Sequence, residues 1–170
     1  MKLINHDNWL QADAGGANRF GDDRQWREAI FHVRLEGTVD REVARLFEAA
    51  RGGLLYGYFF QPLLAMGVEQ CYRVLESGAR ARCAEAGLAV SCNDNQGRAH
   101  PLSFGHNLRA LMKQGLIPDE DLLLWQQARE MREWVTTPAH QSLLTLDHGV
   151  TALTRVAELL GRLYRGKGSL

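Results

Sequence analysis

Residues 54–86 read LLYGYFFQPLLAMGVEQCYRVLESGARARCAEA and include the most apolar part of the 170-residue chain. Apolar side chains recur there every three or four residues, which is the period of an α-helix with one buried face. That face consists of Leu64, Val68, Cys71, Tyr72, Leu75 and Ala79. The sequence therefore predicts a long central helix, in which Pro62 lies near the first turn or causes a kink.

Three further helices are predicted downstream, over residues 103–114, 118–135 and 147–164. Each has the same apolar period and a start signal: Ser103 for the first, Pro118 followed by acidic residues for the second, and Thr145 or Asp147 for the third. Residues 91–101 are mostly polar, and residues 93–97 within them predict a loop. No segment alternates with a period of two, which would indicate a strand.

A helix is also predicted before the central one, with Thr38 as its N-cap and the Gly52–Gly53 pair as its end or a bend. Residues 1–36 predict an irregular lead-in, with a short helix or strand around residues 25–35. Short connections favour antiparallel neighbours. We therefore predict a single domain of the all-α class: a lead-in over residues 1–36 and, over 37–170, an up-and-down bundle of four to five main helices.

The charge balance excludes some classes of protein. The chain has twenty basic and twenty acidic residues, and 45% of its residues are hydrophobic. A chain that coats nucleic acid or a membrane surface normally carries a charge imbalance, so any such partner must use a local patch. The apolar run over residues 53–68 is also too short and too interrupted to span a membrane.

The three cysteines, Cys71, Cys83 and Cys92, are an odd number without CxxC spacing. This pattern argues against a disulfide framework and indicates a reducing, cytoplasmic environment. Cys92 and His100 are close in sequence, but two ligands cannot close a zinc site. We therefore predict no metal and no cofactor.

The sequence that links the last two helices carries candidate catalytic residues. Arg132 lies at the edge of the apolar stripe of its helix, and His140 follows just beyond Pro138. A histidine can exchange the proton of a ribose 2′-hydroxyl near neutral pH, and an arginine can hold a phosphate and stabilise its developing charge. Such a pair can cleave RNA without metal. Short Arg–His spacings also arise by chance, so a capping or salt-bridged arginine and a histidine in a loop stay an alternative.

This region resembles the HEPN superfamily of small helical bundles. The resemblance covers roughly residues 50–165 and depends on the Gly115-Leu116-Ile117-Pro118 turn, on the following amphipathic helix that ends in Arg132-Glu133, and on Pro138-Ala139-His140 before a final helix. It implies frequent dimerisation and, in active members, metal-independent RNA cleavage at the dimer cleft. This chain has Glu133 where the family usually has Asn, and seven residues separate Arg132 from His140.

A second feature favours a polyanionic partner. Residues 95–118 contain no acid, whereas His106, Arg109 and Lys113 lie near one face of a predicted helix. These three residues and Arg129 are the predicted binding residues, for an RNA backbone or an acidic partner. A solvated helix face is the alternative.

Together these features predict an intracellular, HEPN-like protein of a toxin or defence type that binds or cleaves RNA. Nothing in the sequence indicates specificity for DNA. Apolar residues off the inner face of their helix, at Leu122, Leu123 and Trp134, predict a homodimer. The alternative function is a non-catalytic helical module that binds a protein partner.

Overall fold

The computed structural model describes residues 3–13, 20, 22–35 and 39–165. The helices in it are α1 (Asp23–His32), α2 (Arg41–Gly57), α3 (Gln61–Glu85), α4 (Phe104–Lys113), α5 (Leu122–Val135), α6 (Pro138–Gln141) and α7 (Leu146–Tyr164), with a 3-10 turn over Asp119–Asp121 before α5. The strands β1 (Ser91–Asn93) and β2 (Ala99–Pro101) form one small antiparallel sheet. The protein is a predominantly all-α helical bundle, as predicted.

Helix α3 is the centre of the bundle. It packs against α2, α7, α4 and α5, and eleven of its 25 residues are buried. At its C-terminal half the close partner is α7, where the hydroxyl of Tyr164 donates to the carbonyl of Gly78 over 3.0 Å. None of the helices in the described ranges is long and apolar enough to cross a lipid bilayer.

The junction between α2 and α3 differs from the prediction. Helix α2 continues through Gly52 and Gly53 to Gly57, and the chain turns over residues 58–60 before α3 begins. A methyl group on Gly53 would lie 3.0 Å from the Cα of Gly67, so this glycine lets the two helices approach instead of ending α2. Pro62 lies in the first turn of α3, where its missing N–H costs nothing.

The starts of the helices follow their capping residues. The side chain of Asp40 caps α2 by accepting the N–H groups of Glu42 and Val43, whereas Thr38 lies outside the described residues. Ser103 caps α4 as predicted. Thr145 caps α7, and its N–H donates to Nδ1 of His148 over 3.0 Å.

The lead-in contributes to the same core. Helix α1 forms where the sequence predicted either a short helix or a strand, and it buries Trp26 and Ile30 completely. The indole Nε1–H of Trp26 donates to the carbonyls of Leu54 and Leu55, each over 3.2 Å. These bonds fix α1 against the end of α2.

The segment 91–101 contains the loop predicted at residues 93–97, but it also contains two short strands that the sequence did not predict. This segment is a β-hairpin in which Cys92 pairs with His100, and all six strand residues are exposed. The turn is held by Asp94, whose carboxylate accepts the N–H groups of Gln96 and Arg98 over 2.8 Å each. Because neither face of the hairpin is buried, its sequence lacks the alternating pattern that signals a strand.

Candidate functional site

Arg132 takes part in an ion pair between two helices. Its Nη2 lies 3.1 Å from Oε2 of Glu76 on α3, and both side chains are partly buried, at 38% and 20% exposed. The other oxygen of Glu76 lies 3.5 Å from Arg80. Glu76 thus neutralises two arginines, and Arg132 links α5 to the central helix.

His140 lies on the short helix α6, whereas the sequence suggested a loop at this position. Its Nδ1 is 3.0 Å from the carbonyl oxygen of Trp134, and its ring stacks on the indole of Trp134 with centroids 4.6 Å apart and planes 9° apart. Because a carbonyl can only accept, we assign the imidazole proton to Nδ1. Nε2 then keeps its lone pair for another partner.

The structure places these two candidate catalytic residues in separate contacts. Arg132 is held by Glu76, and His140 by the carbonyl and ring of Trp134. Within the described part of the chain, no hydrogen bond joins Arg132 to His140. Their joint action stays a prediction.

Two of the predicted binding residues do come together. Arg109 on α4 and Arg129 on α5 both extend over Gly105. A methyl group on Gly105 would lie 3.6 Å from Nη1 of Arg129 and 3.8 Å from Nη1 of Arg109. Neither guanidinium forms an ion pair with any carboxylate of the described residues. The structure therefore holds two uncompensated positive charges close together.

These arginines form the rim of a cleft of about 180 Å³ between α4 and α5. Each helix lines it with residues spaced i, i+3, i+4, i+7, which lie on one helical face. From α4 these are Gly105, Leu108, Arg109 and Met112; from α5 they are Leu122, Trp125, Gln126 and Arg129. Four of the lining residues, namely Leu108, Met112, Leu122 and Trp125, are apolar. An anion bound by the two arginines would therefore lie beside a surface that excludes water.

His106 and Lys113 lie on α4 beside this cleft without lining it. Both side chains are exposed, and residues 95–118 carry no acidic side chain. They extend the positive surface along α4. Gly105 and Gln126 were not predicted from the sequence, although the repeated spacing on both helices was the signal that could have indicated them.

No group of three histidine, cysteine, aspartate or glutamate side chains suited to a metal is found among the described residues. His100 in the hairpin instead lies 3.0 Å from the carboxylate of Asp94. Hydrogen bonds, first from the N–H of Arg98 and then from His100, hold the pKa of Asp94 below its usual range.

Comparisons of this chain with protein-family models, with curated proteins and with solved structures found no match.

Proposed function

We propose that this chain is a cytoplasmic, HEPN-like protein that binds RNA, with the RNA backbone held at the cleft between α4 and α5. One observation carries the proposal: Arg109 and Arg129 converge over Gly105 and have no acidic partner there. Two like charges so close repel each other, and an anion between them relieves that repulsion. A phosphate accepts the planar fork of a guanidinium through two oxygens, which suits this pair.

The surrounding surface favours a ligand with a row of phosphates rather than a single anion. His106 and Lys113 continue the positive surface along α4, and the segment 95–118 has no acidic residue to oppose them. Contacts with the sugar–phosphate backbone supply most of the affinity of such surfaces and make it depend on salt. RNA is named because the resemblance to HEPN proteins implies it.

Fluorescence anisotropy with a labelled single-stranded RNA of mixed sequence tests this proposal. The double substitution Arg109→Gln/Arg129→Gln should weaken binding at least about ten-fold. It should also reduce the slope of the logarithm of the binding constant against the logarithm of the salt concentration by about 1.4. Arg24→Gln/Arg45→Gln is the matched control, because it removes the same charge from exposed arginines that pair with Glu28 and Glu42. Equal loss in both double variants would refute the cleft as the site.

The same assay with DNA of the same sequence distinguishes RNA from polyanions in general. We expect RNA to bind several-fold more tightly than DNA. Equal affinity would leave only a general anion site. If neither nucleic acid binds at low salt, the non-catalytic protein-interaction module becomes the better interpretation.

RNA cleavage is a second candidate, and the hydrogen bond of His140 favours it. With its proton on Nδ1 towards Trp134, the ring presents Nε2 as a base. If the chain cleaves RNA, His140→Asn should abolish product formation, whereas EDTA should have no effect. Unchanged cleavage by this variant on a sequencing gel would exclude His140 as the base.

Arg132 is the proposed phosphate-binding partner in that reaction. Its ion pair with Glu76 means that Arg132→Gln should also lower the melting temperature. The variant Glu76→Gln separates the two roles, because it breaks the same ion pair and leaves the arginine free. Cleavage that survives in Glu76→Gln but not in Arg132→Gln would support a role in the reaction. Equal loss in both would show a structural role.

We also propose that the chain forms a homodimer whose interface includes α5 and the junction between Arg132 and His140. Leu123 is 61% exposed, as expected for such an interface, whereas Leu122 is half-buried in the cleft and Trp134 is half-buried against His140. Light scattering should give twice the 19.1 kDa mass of the chain. Leu123→Glu should then yield the monomer, and a monomer already in the unchanged protein would exclude the dimer.

A further inference from the structure

A second cavity lies on the other side of α5, between α3, α5 and α7, and it is open to solvent on one side. Its volume is about 180 Å³. Successive residues of an α-helix are 100° apart, so the α5 residues that line it lie on the face opposite the cleft with α4. The apolar part of its wall comes from Val68, Leu124, Ala128, Met131, Leu144 and Ala152.

Tyr72 brings a hydroxyl group to this cavity. The residue is 6% exposed and lines the cavity, and no hydrogen bond joins its hydroxyl group to another described residue. The hydroxyl group can therefore bond to a ligand in the cavity. Burial raises the pKa of Tyr72 to about 12, so the hydroxyl stays protonated and can donate.

The other polar groups of the cavity can all donate a hydrogen bond, including the side-chain amide of Gln127. Arg155 lines it from α7 and forms no ion pair with any carboxylate in the described ranges. His148 accepts the N–H of Thr145 at Nδ1, which leaves its proton on Nε2. Thr151 adds a hydroxyl group. No acidic residue lines the cavity, so its polar groups match an acceptor with negative charge.

We propose that this cavity binds a small monocarboxylic acid with a compact apolar body, the carboxylate facing Tyr72 and Arg155. The size fits: an apolar cavity of about 150 Å³ holds a benzene ring. One guanidinium and one hydroxyl group balance a single negative charge, whereas a phosphate dianion would remain undercompensated above an apolar wall. Aromatic acids of the benzoate type are therefore the expected class.

This site is independent of the proposed RNA site. The cleft takes Leu122, Trp125, Gln126 and Arg129 from α5, whereas the cavity takes Leu124, Gln127, Ala128 and Met131. The two sets share no residue, so variants of one leave the other in place.

Fluorine NMR of 4-fluorobenzoate with the full chain tests the proposal, with 4-fluorobenzamide as the uncharged analogue of the same shape. We expect binding of the acid in the millimolar range or tighter, and at least ten-fold weaker binding of the amide. Absence of line broadening by the acid, or equal broadening of both compounds, would overturn the proposal.

Two substitutions locate the binding. Tyr72→Phe keeps the ring and removes one hydrogen bond, so affinity should fall about five-fold. Arg155→Gln removes the positive charge, and the loss should be at least about ten-fold. Arg73→Gln is the control, since Arg73 is exposed on α3 and pairs with Glu69. A control that loses as much affinity as Arg155→Gln would show non-specific attraction by charge. Tyr72→Phe is isosteric, so a melting curve like that of the unchanged protein confirms that it still folds.

Discussion

Two glycines on different helices do opposite things in this protein. Gly67 of α3 lies against α2, where a methyl group would come within 2.7 Å of the backbone nitrogen of Leu54. Gly105 of α4 faces α5, where a methyl group would meet only the ends of Arg109 and Arg129, at 3.6 and 3.8 Å. The first glycine closes an interface between helices, and the second keeps one open.

The difference lies in what surrounds each glycine. Around Gly67 the neighbours are backbone and the branched side chain of Leu54, which cannot move without unpacking the core. Around Gly105 the neighbours are the flexible ends of long side chains, which can reorient. A glycine in a helix is therefore a packing device in the α2–α3 pair and part of a cleft in the α4–α5 pair.

The largest effect expected from this comparison is on Gly67. Gly67→Ala should lower the free energy of unfolding by about 2 kcal/mol, because overpacking costs more than the alanine gains in helix propensity. In Gly105→Ala the added methyl makes only ordinary contacts, so this variant should be neutral or up to about 1 kcal/mol more stable. Urea denaturation of both variants measures the difference. Similar losses in both would remove the distinction between the two helix pairs.

A second prediction concerns the packing of α7 on α3. Tyr164→Phe removes the buried hydrogen bond to the carbonyl of Gly78 and should destabilise the protein by about 1 kcal/mol. Tyr56→Phe is the control, because Tyr56 is exposed on α2 and should lose nothing measurable. Both values come from urea denaturation. If the two variants unfold at the same urea concentration, the bond to Gly78 does not contribute to stability.

The cavity beside α5 predicts a dependence on alkaline pH. The pKa of Tyr72 in the folded protein lies above its ordinary value, so the unfolded chain loses this proton first. Stability should therefore fall as the pH rises, and Tyr72 alone should account for about 1 kcal/mol between about pH 9 and about pH 11. Between about pH 9 and about pH 11, the free energy of unfolding of Tyr72→Phe should fall by about 1 kcal/mol less than that of the unchanged protein. A parallel decline in both proteins would contradict the burial of this hydroxyl group.

The smallest effect is expected in the hairpin, which contributes no buried side chain. Asp94→Ala removes the acceptor for the N–H groups of Gln96 and Arg98 and for His100. The pKa of Asp94 is below its ordinary value when the turn is formed. As the pH falls through this pKa, protonation of Asp94 should therefore weaken the turn in the same way as the substitution. Amide NMR signals of residues 90–102 should shift while the unfolding transition of the bundle stays unchanged. Loss of the helical signal would show that the hairpin supports the core.

The sequence predicted those elements whose signals are local. Helices α4, α5 and α7 begin close to Ser103, Pro118 and Thr145 because a cap and an apolar period act within a few residues. The end of α2 was missed because Gly53 was treated as a stop signal. Its actual role depends on Gly67, fourteen residues further along the chain, and no local pattern reveals that contact.

The candidate site shows the same limit. Arg109 and Arg129 could each be predicted as binding residues from local charge, but their convergence depends on how α4 packs against α5. The cavity at Tyr72 could not be predicted at all. Periodicity places Tyr72 and Ala128 on inner faces, yet a void is a property of how several helices fill space together.

The short turn between α2 and α3 has a consequence for how the chain folds. Only residues 58–60 separate the two helices, so their contact closes a very small loop and costs little chain entropy. Contacts that are local in sequence form early, and we expect this helical hairpin to be structured in the transition state for folding. Helix α7 must return from far along the chain to reach α3, so its contacts form later. Gly67→Ala should therefore act mainly by slowing refolding, whereas Tyr164→Phe should act mainly by speeding unfolding.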